Sequence, residues 1–153
     1  MKPSEARELQ VSIQTFVRTF GLLVTKQTPC GQPLSPSYAH ALMLLLDRDA
    51  IGQTTSQSEL AEGLGLDKSS ITRLCSRLEA DERITQQTGP ADGRSRLLEL
   101  TARGRKLASN VQAASLERFS NVLAAIPAAK RRTVLSSLEL LTSAVAGLGQ
   151  ERA

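Results

Sequence analysis

Apolar residues recur at Leu9, Ile13, Phe16, Phe20 and Leu23, at spacings of four, three, four and three, which is a helix stripe with a nearly heptad period. This helix is expected to end before Pro29, because the residue preceding a proline is pushed out of the α region. Thr28 to Pro33 reads as a loop. Ser35 and Pro36 then fit an N-cap and a first helical position, opening a second helix through Tyr38 and the apolar block Ala41 to Leu46. Apolar on nearly every side, that segment is the expected central core helix. Near the other end, Val134, Leu138, Leu141, Val145 and Leu148 repeat the spacing of the first stripe, in a final helix expected to begin at Pro127.

Ser56-Gln-Ser-Glu59 has the form of a capping box, in which a serine hydroxyl takes the N3 backbone N–H and a glutamate reaches back to the cap residue. A short helix to about Leu64 should follow; Gly65 breaks it, and Asp67 can cap another helix carrying Ile71, Leu74 and Leu78. Two short helices crossing at a tight turn need a small residue at the crossing, a glycine in the turn and an apolar lock. Ala61, Gly65 and Ile71 sit at the required relative positions, with Leu60, Leu64, Leu66 and Leu74 as the lock. After Asp81 the period changes. Arg83 to Thr88 is rich in β-compatible residues, Gly89 to Gly93 is turn material, and Arg94 to Leu100 offers a second strand, so a β-hairpin with a polar tip is expected. Thr101 caps a further helix with Leu107, Val111, Ala114, Phe119, Val122 and Leu123 on its inner side. The expected fold is mainly α with a small β-hairpin, in one domain over residues 1–153.

Composition narrows the function classes. In 153 residues there are two cysteines, Cys30 and Cys75, and one histidine, His40. A Cys/His metal site needs three or four such ligands, so no metal or other cofactor is expected. An enzyme would depend on His40 with Ser37 or Cys30, and neither a nucleophile elbow nor a glycine-rich phosphate loop accompanies them. The longest apolar run, Ala41 to Leu46, is far short of the ~20 residues that span a bilayer, so neither a membrane nor a secretory reading survives and a cytoplasmic protein is expected.

Charge points to nucleic acid. The chain carries a net +4, and between Lys68 and Lys106 nine Lys and Arg stand against five Asp and Glu, so the whole excess lies in this segment. Lys68, Ser69, Ser70, Thr72, Arg73, Ser76 and Arg77 should face outward from the second helix of the pair. Such a surface suits the major groove of duplex DNA, where arginine pairs bidentately with guanine and Ser or Thr meets base edges or phosphates. Ser56 and Gln57, at the start of the first helix of the pair, join the candidate contacts. Arg94 and Arg96, beside the hairpin tip, suit the narrow, electronegative minor groove. The terminal stripes lie on helices that a small helix-turn-helix core cannot cover alone, which points to a homodimer; its two recognition helices would then lie roughly 34–36 Å apart on an inverted-repeat operator.

The run Gln57-Ser-Glu-Leu-Ala-Glu-Gly-Leu-Gly-Leu-Asp-Lys-Ser-Ser-Ile-Thr-Arg-Leu, then Arg77-Leu-Glu, then Asp92-Gly-Arg-Ser-Arg-Leu-Leu-Glu-Leu-Thr-Ala-Arg-Gly104, resembles the MarR family of winged helix-turn-helix transcription regulators. The more specific part is Asp92-x-Arg94 with Leu100-Thr101 and Gly104. The resemblance implies a winged lobe over residues 35–104 and dimerisation helices in 1–28 and 105–153. It implies a repressor that binds a palindromic operator as an obligate dimer and often releases it when a small ligand binds. Carried over, the family's recognition-helix contacts fall on Ser69, Ser70, Thr72 and Arg73, and its wing-tip arginine on Arg94, with Asp92 orienting it.

Two sensor readings stand beside this. An effector pocket between lobe and dimerisation helices would be lined by Phe16, Phe20, Tyr38, His40 and Met43. A redox switch would use Cys30, expected to be exposed in its Pro-Cys-Gly loop near Lys26, while Cys75 is expected to be half-buried. A third reading keeps the fold and makes the basic helix a docking surface for an acidic protein partner.

Overall fold

The computed structural model describes residues 3–89 and 96–150. Six helices and three short strands follow in order: α1 (Pro3–Phe20), α2 (Pro36–Ala50), β1 (Thr55–Ser56), α3 (Gln57–Leu64), α4 (Lys68–Ala80), β2 (Ile84–Thr88), β3 (Arg96–Leu100), α5 (Ala102–Ala125) and α6 (Ala128–Gln150). The chain divides into two units, Met1–Ser115 and Leu116–Ala153.

In the first unit, α2 forms the centre of the core, as its all-round apolar pattern dictates. Tyr38, Ala41, Leu42 and Leu45 pack with Leu60 of α3, Ile71, Cys75 and Leu78 of α4, Ile84 of β2, Leu98 and Leu100 of β3, and Ala108 of α5. Leu42, Leu60 and Leu78 have no exposed surface. The sheet order is β1-β3-β2, antiparallel throughout, with Thr55 opposite Leu98 and Gln86 opposite the same residue on the other side. Strand β1 is a finding beyond the hairpin expected from sequence. Two residues carry no period, and it is a strand only because β3 supplies its partner.

Helices α1, α2, α3 and α4 end alike. A residue in the left-handed region donates its N–H three positions back, and the next residue donates five back, as in Leu66 N to Ala61 O at 3.0 Å and Arg83 N to Leu78 O at 2.8 Å. The left-handed residue is Gly21, Gly52 and Gly65 in three cases, and Glu82, at φ 57°, in the fourth. Gly21 corrects the expected extent of the first helix: α1 stops at Phe20, not near Pro29, and Leu23 lies beyond it. Ser35 does occupy the N-cap of α2 with Pro36 following, but its side chain makes no capping bond.

The start of α5 is fastened to the start of β2. The Thr101 hydroxyl accepts from Gly104 N at 2.9 Å and donates to Glu82 O at 2.7 Å, while Thr101 N donates to Arg83 O at 3.0 Å. Gly104 lies so close that a Cβ there would sit 1.9 Å from Arg83 O. Two polar ties join α2 to α5: Arg105 Nη2 to Asp49 Oδ2 at 2.6 Å and Gln112 Nε2 to Asp47 Oδ1 at 2.8 Å.

In the second unit α6 begins at Ala128, one residue later than expected, with Pro127 before it accepting from Lys130 N at 2.8 Å. Of the α5 residues expected on an inner side, Val111 is buried, but Phe119 and Val122 are exposed. On α6, Val134 and Leu141 are half-buried, whereas Leu138, Val145 and Leu148 are exposed. Among the described residues no helix is long and apolar enough to cross a membrane.

Candidate nucleic-acid interface

The capping box forms as the sequence dictates. The Ser56 hydroxyl accepts from Glu59 N at 3.2 Å, and Ser56 N donates to Glu59 Oε2 at 2.7 Å. These bonds, the backbone one foremost, hold the Glu59 carboxyl below its usual range, and Arg48 adds an ion pair at 3.4 Å. Gly65, left-handed at φ 63°, turns the chain into α4. Leu60 and Ile71 are buried across the crossing, with Ala61, Leu64, Leu66 and Leu74 packed beside them. The helix-turn-helix is thus locked from within, and the outer face of α4 is free to present side chains.

That face is more organised than a row of independent polar groups. Asp67 caps α4, accepting from Ser70 N at 2.8 Å, and it also takes the hydroxyls of Ser69 at 2.8 Å and Ser70 at 3.0 Å. The Ser70 backbone bond, then the two serine hydroxyls, lower its pKa to about 2. Thr72 donates to Lys68 O at 2.7 Å and accepts from Gln57 Nε2 at 3.3 Å. Lys68 and Arg73 are exposed, and neither side chain has a partner among the described residues.

Arg77 is differently placed. Its guanidinium lies 5.6 Å from the centre of the Tyr38 ring and 3.8 Å from Asp81, while the Tyr38 hydroxyl donates to Asp81 at 2.9 Å. Burial, then the bond to Asp81, pushes the Tyr38 phenol up to about 12. This cluster ties the end of α4 to α2 and was not legible in sequence, since Tyr38 and Asp81 are 43 positions apart. The basic segment is also less free than its count suggests. Arg103 is bonded to Glu82, Arg105 to Asp49, and Arg83 has its Nε buried, with no partner among the described residues. Arg96 is exposed on β3 opposite Thr88. Asp92 and Arg94 lie outside the described residues.

The five residues expected to line an effector pocket do not converge. Phe16 and Phe20 stack on each other on α1, with ring centres 5.2 Å apart. Tyr38 is only 3% exposed and belongs to the core, as packing around α2 requires. His40 faces the other way, into a shallow recess with Pro36, Ser37, Gly63, Leu64 and Leu66, and Met43 is half-buried. Cys30 is half-buried rather than exposed, its sulfur 3.0 Å from the hydroxyl of buried Thr28, because the tight loop from Thr28 to Gln32 folds over it. Cys75 is fully buried, not half-buried, and burial pushes its thiol up to about 11. No group of His, Cys, Asp and Glu among the described residues could hold a metal ion.

Comparison with known proteins agrees with this architecture. A model of the family described as the MarR family matches residues 32–95. The chain is 32% identical over 115 residues to an HTH-type transcriptional regulator of Bacillus subtilis (strain 168), YxaD, covering 75% of this chain and 77% of that protein. Among solved structures it is similar to the S. aureus MepR–DNA complex, with a TM-score of 0.66, 16% identity, and 93% of this chain and 96% of that one covered. PcaV from Streptomyces coelicolor, solved in complex with its natural ligand, has a TM-score of 0.59 at 24% identity, with 95% and 94% covered. A helix-turn-helix locked by the predicted residues, carried on this topology and matched by these relatives, makes the chain a member of the MarR family of helix-turn-helix transcriptional regulators.

Proposed function

We propose that this regulator is a cytoplasmic homodimer that occupies an inverted-repeat operator and represses transcription. In this reading α4 enters the major groove with Arg73 as its principal base reader, and Arg94 and Arg96 meet the minor groove. The observation that carries the reading is Arg73, exposed on the locked recognition helix with its guanidinium uncommitted among the described residues. Lys68 is the companion contact to phosphate. Ser56 and Gln57 flank it at the start of α3. Arg77, held between Tyr38 and Asp81, supports the helix rather than reading DNA.

Dimerisation is supported by the uncovered apolar surface of the helices outside the lobe: Leu9, Phe16, Leu116, Leu138, Val145 and Leu148 are each about half exposed or more. A chain that leaves so many large apolar groups in water has an interface to make. Effector control is supported by PcaV, a relative by fold that is described in complex with its natural ligand. An effector would act through its different affinities for the DNA-bound and free arrangements.

The test is selection of bound sequences from a random duplex library, followed by titration of the winner against scrambled DNA at physiological salt. An enriched inverted repeat bound by two chains is the expected result. Binding with no sequence preference, with and without pooled metabolites, would leave the basic helix a protein-docking surface instead.

A further inference from the structure

We propose that Thr72 reads a thymine in each half-site through its methyl group, its hydroxyl being withheld from the DNA; this rests on the operator reading above. A threonine hydroxyl has one proton and two lone pairs. At Thr72 the proton is given to Lys68 O at 2.7 Å, within the same helix, and Gln57 Nε2 approaches the oxygen at 3.3 Å from α3. Both bonds point the oxygen towards protein, one along α4 and one across to the neighbouring helix. A β-branched side chain so tied has its rotamers restricted, and with the oxygen engaged the group this exposed residue has left to offer is the Cγ2 methyl.

The neighbouring hydroxyls are engaged too. Ser69 and Ser70 both donate to the Asp67 carboxylate, so neither brings a proton to a base edge. The first two turns of α4 therefore present Lys68 and Arg73 as donors, two serine oxygens as acceptors and one methyl group. In the major groove only thymine offers a methyl as its complement, at C5. Gln57 takes part as a positioning residue: its amide Nε2 holds the threonine oxygen.

Two variants and one altered duplex separate the methyl from the hydroxyl. Thr72→Val keeps the methyl and loses the hydroxyl, Thr72→Ser does the reverse, and replacing thymine by uracil in the selected operator removes the methyl from the DNA side. Titrations of the full-length dimer should show one thymine per half-site whose replacement by uracil weakens binding about fourfold, the scale of one buried methyl group. Thr72→Ser should weaken the thymine duplex by a similar factor and be indifferent to the uracil exchange. Thr72→Val should keep the wild-type preference. If Thr72→Val loses that preference, or if no uracil exchange matters to the wild type, the methyl assignment is wrong while the operator reading stands. If the wild type selects no sequence at all, the operator reading fails and this one with it.

Discussion

Leu42, Leu60 and Leu78 of the helix-turn-helix lobe have no exposed surface, whereas Leu138, Val145 and Leu148 of α6 keep half or more of theirs. Leu78 and the α6 residues belong to stripes with helical spacing, and the spacing alone does not distinguish them. The difference lies in the neighbours. The lobe folds α2, α3, α4 and the sheet around one centre, so each leucine meets another element of the same chain. The stripe of α6 leaves Leu138, Val145 and Leu148 exposed, and in the proposed dimer a second molecule would cover it. A hydrophobic period reports that a face must be covered, not by what.

This contrast can be broken at several points. The severest change is Gly104→Ala, because a Cβ would fall 1.9 Å from a backbone oxygen that cannot swing away. A loss of more than about 3 kcal/mol in unfolding free energy, measured by denaturant titration, is expected. Next comes a pair chosen across the divide. Leu60→Ala should cost about 3 kcal/mol at any protein concentration, being a cavity within the lobe. Leu138→Glu should act through association, lowering the mass seen by light scattering to that of one chain and removing the concentration dependence of Tm. If Leu138→Glu leaves the mass unchanged, the dimer does not form through that face. Replacing Arg73 by Ala should cost about 1–3 kcal/mol at one base pair in each half-site, read as a changed preference in the selected sequences, with Tm unmoved. Smallest is Glu82→Gly. Glu82 sits at φ 57° where the other three helices of this design have glycine, and its bond to Arg103 is exposed. A gain of about 0.5 kcal/mol in unfolding free energy is expected, from relief of a left-handed strain that outweighs a surface ion pair.

Much of the lobe was legible because its signals are local. Ser56 and Glu59 are three positions apart, Asp67 immediately precedes its helix, and Gly65 stands where a turn needs the left-handed region. The hairpin strands showed in their β-compatible residues. What escaped was long-range. Tyr38 read as a pocket residue because its hydroxyl partner, Asp81, is remote in sequence. The two-residue β1 acquired its identity from β3. The end of α1 was misplaced because Pro29 was read as the stop when Gly21 already is one. At the interface the residue types were evident, but not that Asp67 holds Ser69 and Ser70, or that Gln57 reaches Thr72. Hydroxyl direction is set by which acceptor lies nearest, and no spacing rule supplies that.

The fastening at Thr101 and Gly104 has a mechanical consequence. With the hydroxyl of Thr101 bonded to Glu82 O and its N–H to Arg83 O, and with no room for even a Cβ at Gly104, the first turn of α5 is tied to the residues that lead into β2. Arg83 N is in turn bonded to Leu78 O, so the same tie reaches the end of α4. A displacement of the first turn of α5 is therefore expected to carry the start of β2 and the end of α4 with it.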